Sequence, residues 1–85
     1  MEIFQTADFT KQLRKFPKDS LRLYMVQEKR FRENLRDPRL HMKKLQGLDG
    51  VYSFRVTRLY RVLFYFQSSD AVVFFAIGHR KDVYR

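Results

Sequence analysis

Apolar positions recur along the chain with two different periods, helical in the first half and alternating in the second. Phe9, Leu13 and Phe16 are spaced four then three apart, as on one face of a helix. Thr6 or Asp8 can cap that helix, because either side-chain oxygen can accept from the free N–H groups of the first turn. Pro17 interrupts it, since the residue before a proline disfavours the helical region. From about Lys18 to Asn34 the helical spacing resumes, through Leu21, Tyr24, Glu28, Phe31 and Leu35, with Met25 beside them. The other face of this second helix carries Arg22, Lys29, Arg30, Arg32 and Glu33 and reads as solvated. Asp37-Pro38 closes the region. Ahead of both helices, Glu2 to Thr6 reads as a short first strand.

From Val51 the period changes to two. Tyr52, Phe54 and Val56 alternate with Ser53 and Arg55. Leu59 to Gln67 is a longer strand rich in aromatic and β-branched residues, and Ser68-Ser69-Asp70 is a turn. Ala71 to Ile77 is apolar on both faces, as a central strand would be. The resulting order is β-α-α-β-β-β. It predicts an α+β fold, with two helices packed on one face of a mostly antiparallel sheet. No repeat, linker or low-complexity stretch divides residues 1–85, so a single domain is expected.

Strand parity decides which residues share a face. A three-residue turn over Thr57 to Leu59 sets Arg55 opposite Arg61 and keeps Tyr52, Phe54, Val62, Phe64 and Phe66 on one apolar face. A four-residue turn over Gln67 to Asp70 then pairs Phe64 with Val73 and Arg61 with Ala76. Continuing that strand puts Gly78 and Arg80 on the Arg61 side. Arg55, Arg61 and Arg80 are therefore expected to line one surface away from the helices, with Tyr65 and Phe74 on the same side. Three clustered cations repel one another, so an anion is expected there.

Charge sharpens this picture. Eighteen Lys and Arg against nine Asp and Glu give a net charge of +9. Such a surface favours polyanions or acidic proteins. With 45% hydrophobic residues, nine of them Phe, one small core is feasible. There is no cysteine, which removes disulfides, thiolate chemistry and Cys-ligated zinc. His41 and His79 are the only histidines, so a His-rich metal site is excluded and no cofactor is expected. The apolar runs are too short to span a bilayer. Met1 to Gln5 lacks the pattern of a signal peptide, so a cytoplasmic protein without membrane contact is expected.

The last residues, Gly78-His79-Arg80-Lys81-Asp82-Val83-Tyr84-Arg85, gather cations, an imidazole and a phenol after an apolar strand. Tyr60-Arg61 places another such pair at a strand start. Arginine is a planar fork for phosphate, and tyrosine can stack on a base or exchange a proton. His79 is a possible acid or base, because histidine titrates nearest neutrality, although alternation points it away from Arg80. Lys43, Lys44 and Arg39 suit an RNA backbone, with a solvated charge run as the plainer alternative for the two lysines. His41 is expected to be structural.

Four stretches together carry a family resemblance: Lys43-Lys44-Leu45-Gln46-Gly47-Leu48, Tyr52-Ser53-Phe54-Arg55-Val56, Tyr60-Arg61-Val62-Leu63-Phe64, and Ile77-Gly78-His79-Arg80-Lys81-Asp82-Val83-Tyr84. They resemble the RelE/ParE toxin superfamily over essentially the whole chain, and the two helices also fit. The resemblance implies the toxin of a type II toxin–antitoxin system, silenced by a cognate antitoxin. RelE-like members cut messenger RNA on the ribosome without a metal, whereas ParE-like members act on DNA gyrase. Carried over, Arg61 would hold the scissile phosphate. Arg80 would stabilise or protonate the leaving group, Tyr84 would stack on or orient the nucleotide, and Arg55 would be a further basic site residue. Ser53 stands where such enzymes can carry lysine. Arg80 with Tyr84 favours the RelE-like reading. A ParE-like inhibitor and a degenerate toxin that only binds its antitoxin are the alternatives. Because the chain stops one residue past Tyr84, no C-terminal helix is expected.

Overall fold

The computed structural model describes residues 1–83. Its elements are β1 (Glu2–Gln5), α1 (Ala7–Arg14), α2 (Lys18–Glu33), a single 3₁₀ turn (Pro38–Leu40), β2 (Lys43–Lys44), β3 (Val51–Arg55), β4 (Tyr60–Ser68), β5 (Ala71–His79) and α3 (Arg80–Val83). The five strands form one sheet in the order β1-β5-β4-β3-β2. Only β1 and β5 run parallel; the other pairs are antiparallel. The parallel pair needs a crossover, and α1 and α2 supply it. The expected α+β architecture therefore holds.

Local chemistry sets the boundaries. Thr6, rather than Asp8, caps α1, its Oγ1 accepting from the Phe9 N–H at 3.1 Å. Pro17 separates the helices as expected. Asp37 accepts from the Arg39 N–H at 2.9 Å and starts the 3₁₀ turn. His41 ends that turn in the left-handed region (φ 47°, ψ 50°), a conformation unusual for a side chain larger than glycine. In the β2–β3 loop, Gly47 and Gly50 take φ of +81° and +74°, where a Cβ would be strained.

The core is aromatic. Phe31 of α2 packs on Phe54, Phe64 and Phe74 with ring centroids 5.1–5.4 Å apart, and Phe9 of α1 lies 5.6 Å from Phe74. All five are fully buried. Phe31→Ala is expected to cost about 3–5 kcal/mol, a large share of the stability of so small a domain. Urea unfolding of the variant checks this; a loss under about 1 kcal/mol would mean that the ring cluster does not hold the helices down.

Four expectations change. Met25 is largely exposed rather than beside the core; the buried α2 stripe is Tyr24, Gln27 and Phe31. Lys43–Lys44 forms an extra edge strand. The β4–β5 register pairs Phe64 with Phe74 and Arg61 with Gly78, not with Val73 and Ala76. A tight turn at Ser69-Asp70, with Ser68 paired to Ala71, replaces the longer one, and register shifts follow Leu63 and Phe66. The shift beside Phe75 turns Phe74 into the core, and Phe75 instead meets Tyr65 on the opposite face at 5.7 Å. Lastly, β5 stops at His79 and Arg80 starts a short helical turn, where alternation had continued the strand through Arg80.

Candidate functional site

β3 and β4 are paired as expected, with Arg55 opposite Arg61 and Ser53 opposite Leu63. Lys43 of β2 lies opposite Ser53. Alternation puts Lys43, Ser53, Arg55 and Arg61 on one face of the sheet, the face that also bears Gly78. Lys44, opposite Tyr52, falls on the other. Both lysines are exposed, and charged residues on so short an edge also discourage pairing with other strands. Next to them a groove of about 240 Å³ is lined by Lys43, Lys44, Leu45, Gln46 and Leu48.

Arg61 departs from expectation. It is only 4% exposed, not a surface charge. Its Nε donates to Ser53 Oγ at 3.1 Å and its Nη2 to the carbonyl of His41. The reason is the layer above it. Val83 of α3 comes within 3.2 Å of where a Cβ on Gly78 would sit, and Gly78 is the β5 partner of Arg61. The helical turn thus lies over this part of the sheet. His41, expected to be structural, contributes its carbonyl and not its ring.

Arg55 differs from its neighbour. It is half-buried, and its Nε is enclosed without any hydrogen-bond partner among the described residues. A buried donor left unpaired costs roughly 1–3 kcal/mol, so this one marks a place where an acceptor belongs. Its own carbonyl accepts from Gln27 Nε2 at 2.7 Å.

The remaining expected residues are spread around this pair. Arg80 is exposed, with its backbone N–H bound to the Leu59 carbonyl at 2.7 Å. It sits at the start of α3 and not on the strand beside Arg61. His79 pairs with Tyr60, its ring edge-on to that tyrosine at 6.0 Å. Its Nδ1 accepts from the Lys81 N–H at 3.1 Å. Tyr60 in turn packs at a tilt against Phe16, between α1 and α2, so His79 faces away from Arg55 and Arg61. Arg39 is engaged with Asp37, Nη2 to Oδ2 at 2.7 Å and Nε to Oδ1 at 3.0 Å. Those bonds hold the Asp37 carboxyl down at about 2. Tyr84 lies outside the described residues. Gln27 was not foreseen; a glutamine between Tyr24 and Phe31 on a buried stripe was the available signal.

A second polar network lies under the helices. The buried Tyr24 hydroxyl donates to the Glu28 carboxylate and accepts from Gln5 Nε2 at 3.2 Å. Burial, reinforced by Glu28, pushes this phenol above its usual range. Among the described residues no group of three or more His, Asp or Glu side chains converges as a metal site requires. No described helix is long and apolar enough to cross a membrane.

Comparison with known proteins agrees with this architecture. The family model of the ParE toxin of the type II toxin–antitoxin system parDE matches residues 3–84. Among solved structures, the RelB–RelE antitoxin–toxin complex from Methanococcus jannaschii contains a chain similar to this one. Its TM-score is 0.73 at 22% identity, over 95% of this chain and 94% of that one. The RelBE2 toxin–antitoxin complex from Mycobacterium tuberculosis gives 0.67 at 28% identity, over 93% and 96%. The YoeB/ParE toxin from Agrobacterium tumefaciens gives 0.78 at 12% identity, over 94% and 99%. No curated protein sequence matches the chain. With a family match spanning nearly every residue and a fold shared with RelE and YoeB, the chain belongs to the ParE toxin family of type II toxin–antitoxin systems, within the RelE/ParE superfamily.

Proposed function

We propose that the chain is an endoribonuclease that cuts messenger RNA on the ribosome and is held in check by a cognate antitoxin. The observation that carries this reading is the cross-strand arginine pair, Arg55 opposite Arg61, with the Arg55 Nε buried and without a partner among the described residues. A phosphodiester oxygen is an acceptor of the right charge for it. In such a reaction the RNA 2′-OH passes its proton to water and attacks the adjacent phosphorus. The P–O5′ bond breaks, leaving a 2′,3′-cyclic phosphate, and the 5′ oxygen takes up a proton. Arg55 offsets the charge on the phosphorane, and Arg61, fixed by Ser53 and His41, holds the positive field behind it. Arg80 and Tyr84 are assigned to the leaving group and the nucleotide base. Lys43, on the same face, extends the cationic track along the RNA backbone. Lys44 and Arg39 are assigned to the flanks of that track, Arg39 only where phosphate displaces Asp37.

His79 takes no part in this scheme, because its ring turns to Tyr60 and its Nδ1 is bonded to the Lys81 N–H. The antitoxin assignment rests on the fold shared with RelE chains seen in antitoxin–toxin complexes.

A specific observation also favours a second reading. The matching family model is the ParE one, and ParE-like members of the superfamily inhibit gyrase. Inducing the chain alone in bacteria, with transcript ends and gyrase–DNA breaks both mapped, separates the two. Messenger cuts within codons, relieved by co-expressing the antitoxin, are the expected result. Accumulated gyrase breaks with intact transcripts would replace the ribonuclease reading with the gyrase one.

A further inference from the structure

We propose that Gln27 is the positioning residue that sets the distance and orientation of the two site arginines. It belongs to α2, on the helical side of the sheet, yet it reaches both halves of the site. Its Nε2 donates to the Arg55 carbonyl at 2.7 Å and to the Arg39 carbonyl at 2.9 Å. Those two bonds use both amide protons. Its Oε1 accepts from Arg30 Nη1 at 2.9 Å, a cation one helical turn on. Because Arg30 can only donate, the amide is held one way round, with its nitrogen toward the two carbonyls.

The consequence lies in what those carbonyls belong to. Arg55 is the last residue of β3, beyond the reach of the two-residue β2. Gln27 therefore fixes a strand end that the edge strand leaves unpaired. Arg39 is two residues before His41, whose carbonyl clasps Arg61. One side chain, only 5% exposed, thus ties the backbone of Arg55 to the short segment that holds Arg61. A hydrophobic residue here would still belong to the buried stripe of Tyr24 and Phe31. It would leave two carbonyls unpaired and the two arginines free to shift relative to each other.

The activity arm of the test rests on the ribonuclease reading, and a second arm does not. In the first, ribosome-dependent cleavage by Gln27→Leu is measured at a temperature where circular dichroism shows the variant folded. Misplacing a catalytic group by an ångström costs about 10²-fold, so kcat should fall by roughly 30–100-fold with KM nearly unchanged. In an Arg55→Met background the same change should cost clearly less, since only the part that acts through the segment holding Arg61 is left. The full loss of roughly 30–100-fold, undiminished in that background, would show that Gln27 does not act through Arg55 and would overturn the proposal.

The second arm follows the arginine Nε–Hε signals of purified protein by NMR during titration with inorganic phosphate. Gln27→Leu should move the Arg55 signal and weaken its phosphate response about tenfold, as expected for one charge-assisted hydrogen bond, while core amide signals stay in place. Should the wild type cleave no RNA yet its Arg55 signal respond in this way, the positioning role stands and the ribonuclease reading fails. An unchanged Arg55 signal, or wild-type kcat in a folded variant, would overturn the proposal. Arg30→Met covers the case in which Gln27→Leu does not fold. It removes only the donor that orients the amide, and a smaller change in the same direction, about 3–10-fold, is expected.

Discussion

Arg61→Ala is expected to abolish cleavage and to destabilise the protein by about 2–3 kcal/mol, a drop of roughly 10–20 °C in melting temperature for a domain of this size. Composition and alternation alone put this residue on an open surface, where removal would leave stability untouched. The structure reverses that expectation. The guanidinium is buried against Ser53 Oγ and the His41 carbonyl. Truncation leaves the His41 carbonyl short of a donor and opens a hole beneath α3. Some of the cost is returned, since Arg55 loses a like-charged neighbour, which is why the figure is not larger. Loss of activity in Arg61→Ala is therefore informative only when the variant is shown folded at the assay temperature. Arg61→Lys is the companion measurement. Lysine keeps the charge but not the fork, so it should recover part of the stability and little of the cleavage. Wild-type cleavage by a folded Arg61→Ala would remove this residue from the site. A melting temperature within 2 °C of wild type, about half a kilocalorie per mole or less, would show that its buried bonds carry no stability.

Much of the fold was readable because periodicity and burial agree. Phe9, Phe31, Phe54, Phe64 and Val62 sit where their spacing put them. The Thr57–Leu59 turn gave the right opposition of Arg55 and Arg61 because it is a short turn that keeps the apolar alternation of both strands on one face. The β4–β5 hairpin was harder. Ala71 to Ile77 is apolar at every position, so a slip by one residue changes no hydrophobicity pattern. Only the side-chain shapes distinguish Phe74 in the core from Phe75 against Tyr65, and a bulge resolves them. Lys43–Lys44 was invisible as a strand because two exposed lysines carry no period, and backbone pairing to β3 is what makes them one.

The site was legible in its residue types and not in its layering. Arginines at 55 and 61 follow from parity. What parity cannot give is the covering of that face, since α3 begins at Arg80 only because the chain leaves the sheet there. Once the turn lies over Gly78, Arg61 becomes interior and Arg80 leaves the row it was expected to join. Gln27 escaped notice for a similar reason. Its role depends on backbone carbonyls 12 and 28 residues away, and no side-chain pattern along α2 reports where those carbonyls fall. Arg39 shows the opposite case, a cation whose acidic partner, Asp37, was close in sequence and could have been paired with it from the start.

Arg55→Met is expected to give the largest separation of activity from stability in this protein. Cleavage should fall about 10²–10³-fold, the usual loss when one preorganised donor to a developing charge is removed. Stability should stay level or rise by up to about 1 kcal/mol. The asymmetry follows from bonds already described. The Arg55 side chain has an enclosed Nε without an acceptor among the described residues, and directly across the strands stands another guanidinium. Methionine keeps the unbranched stem, discards the unpaired donor and relieves the repulsion. The backbone carbonyl that Gln27 holds is untouched by the substitution, so the β3 end keeps its anchor. A residue that weakens the empty protein and is retained for its ligand is what a stability–function trade-off predicts. Phosphate should also raise the melting temperature of the wild type and not of Arg55→Met, because a ligand stabilises only the form that binds it. The two proteins are compared by thermal melting with and without phosphate, and by cleavage on ribosomes. A variant that melts more than about 5 °C lower, roughly 1 kcal/mol, would mean that the Arg55 head group is already satisfied in the free protein. Undiminished cleavage would mean that the phosphate is held elsewhere.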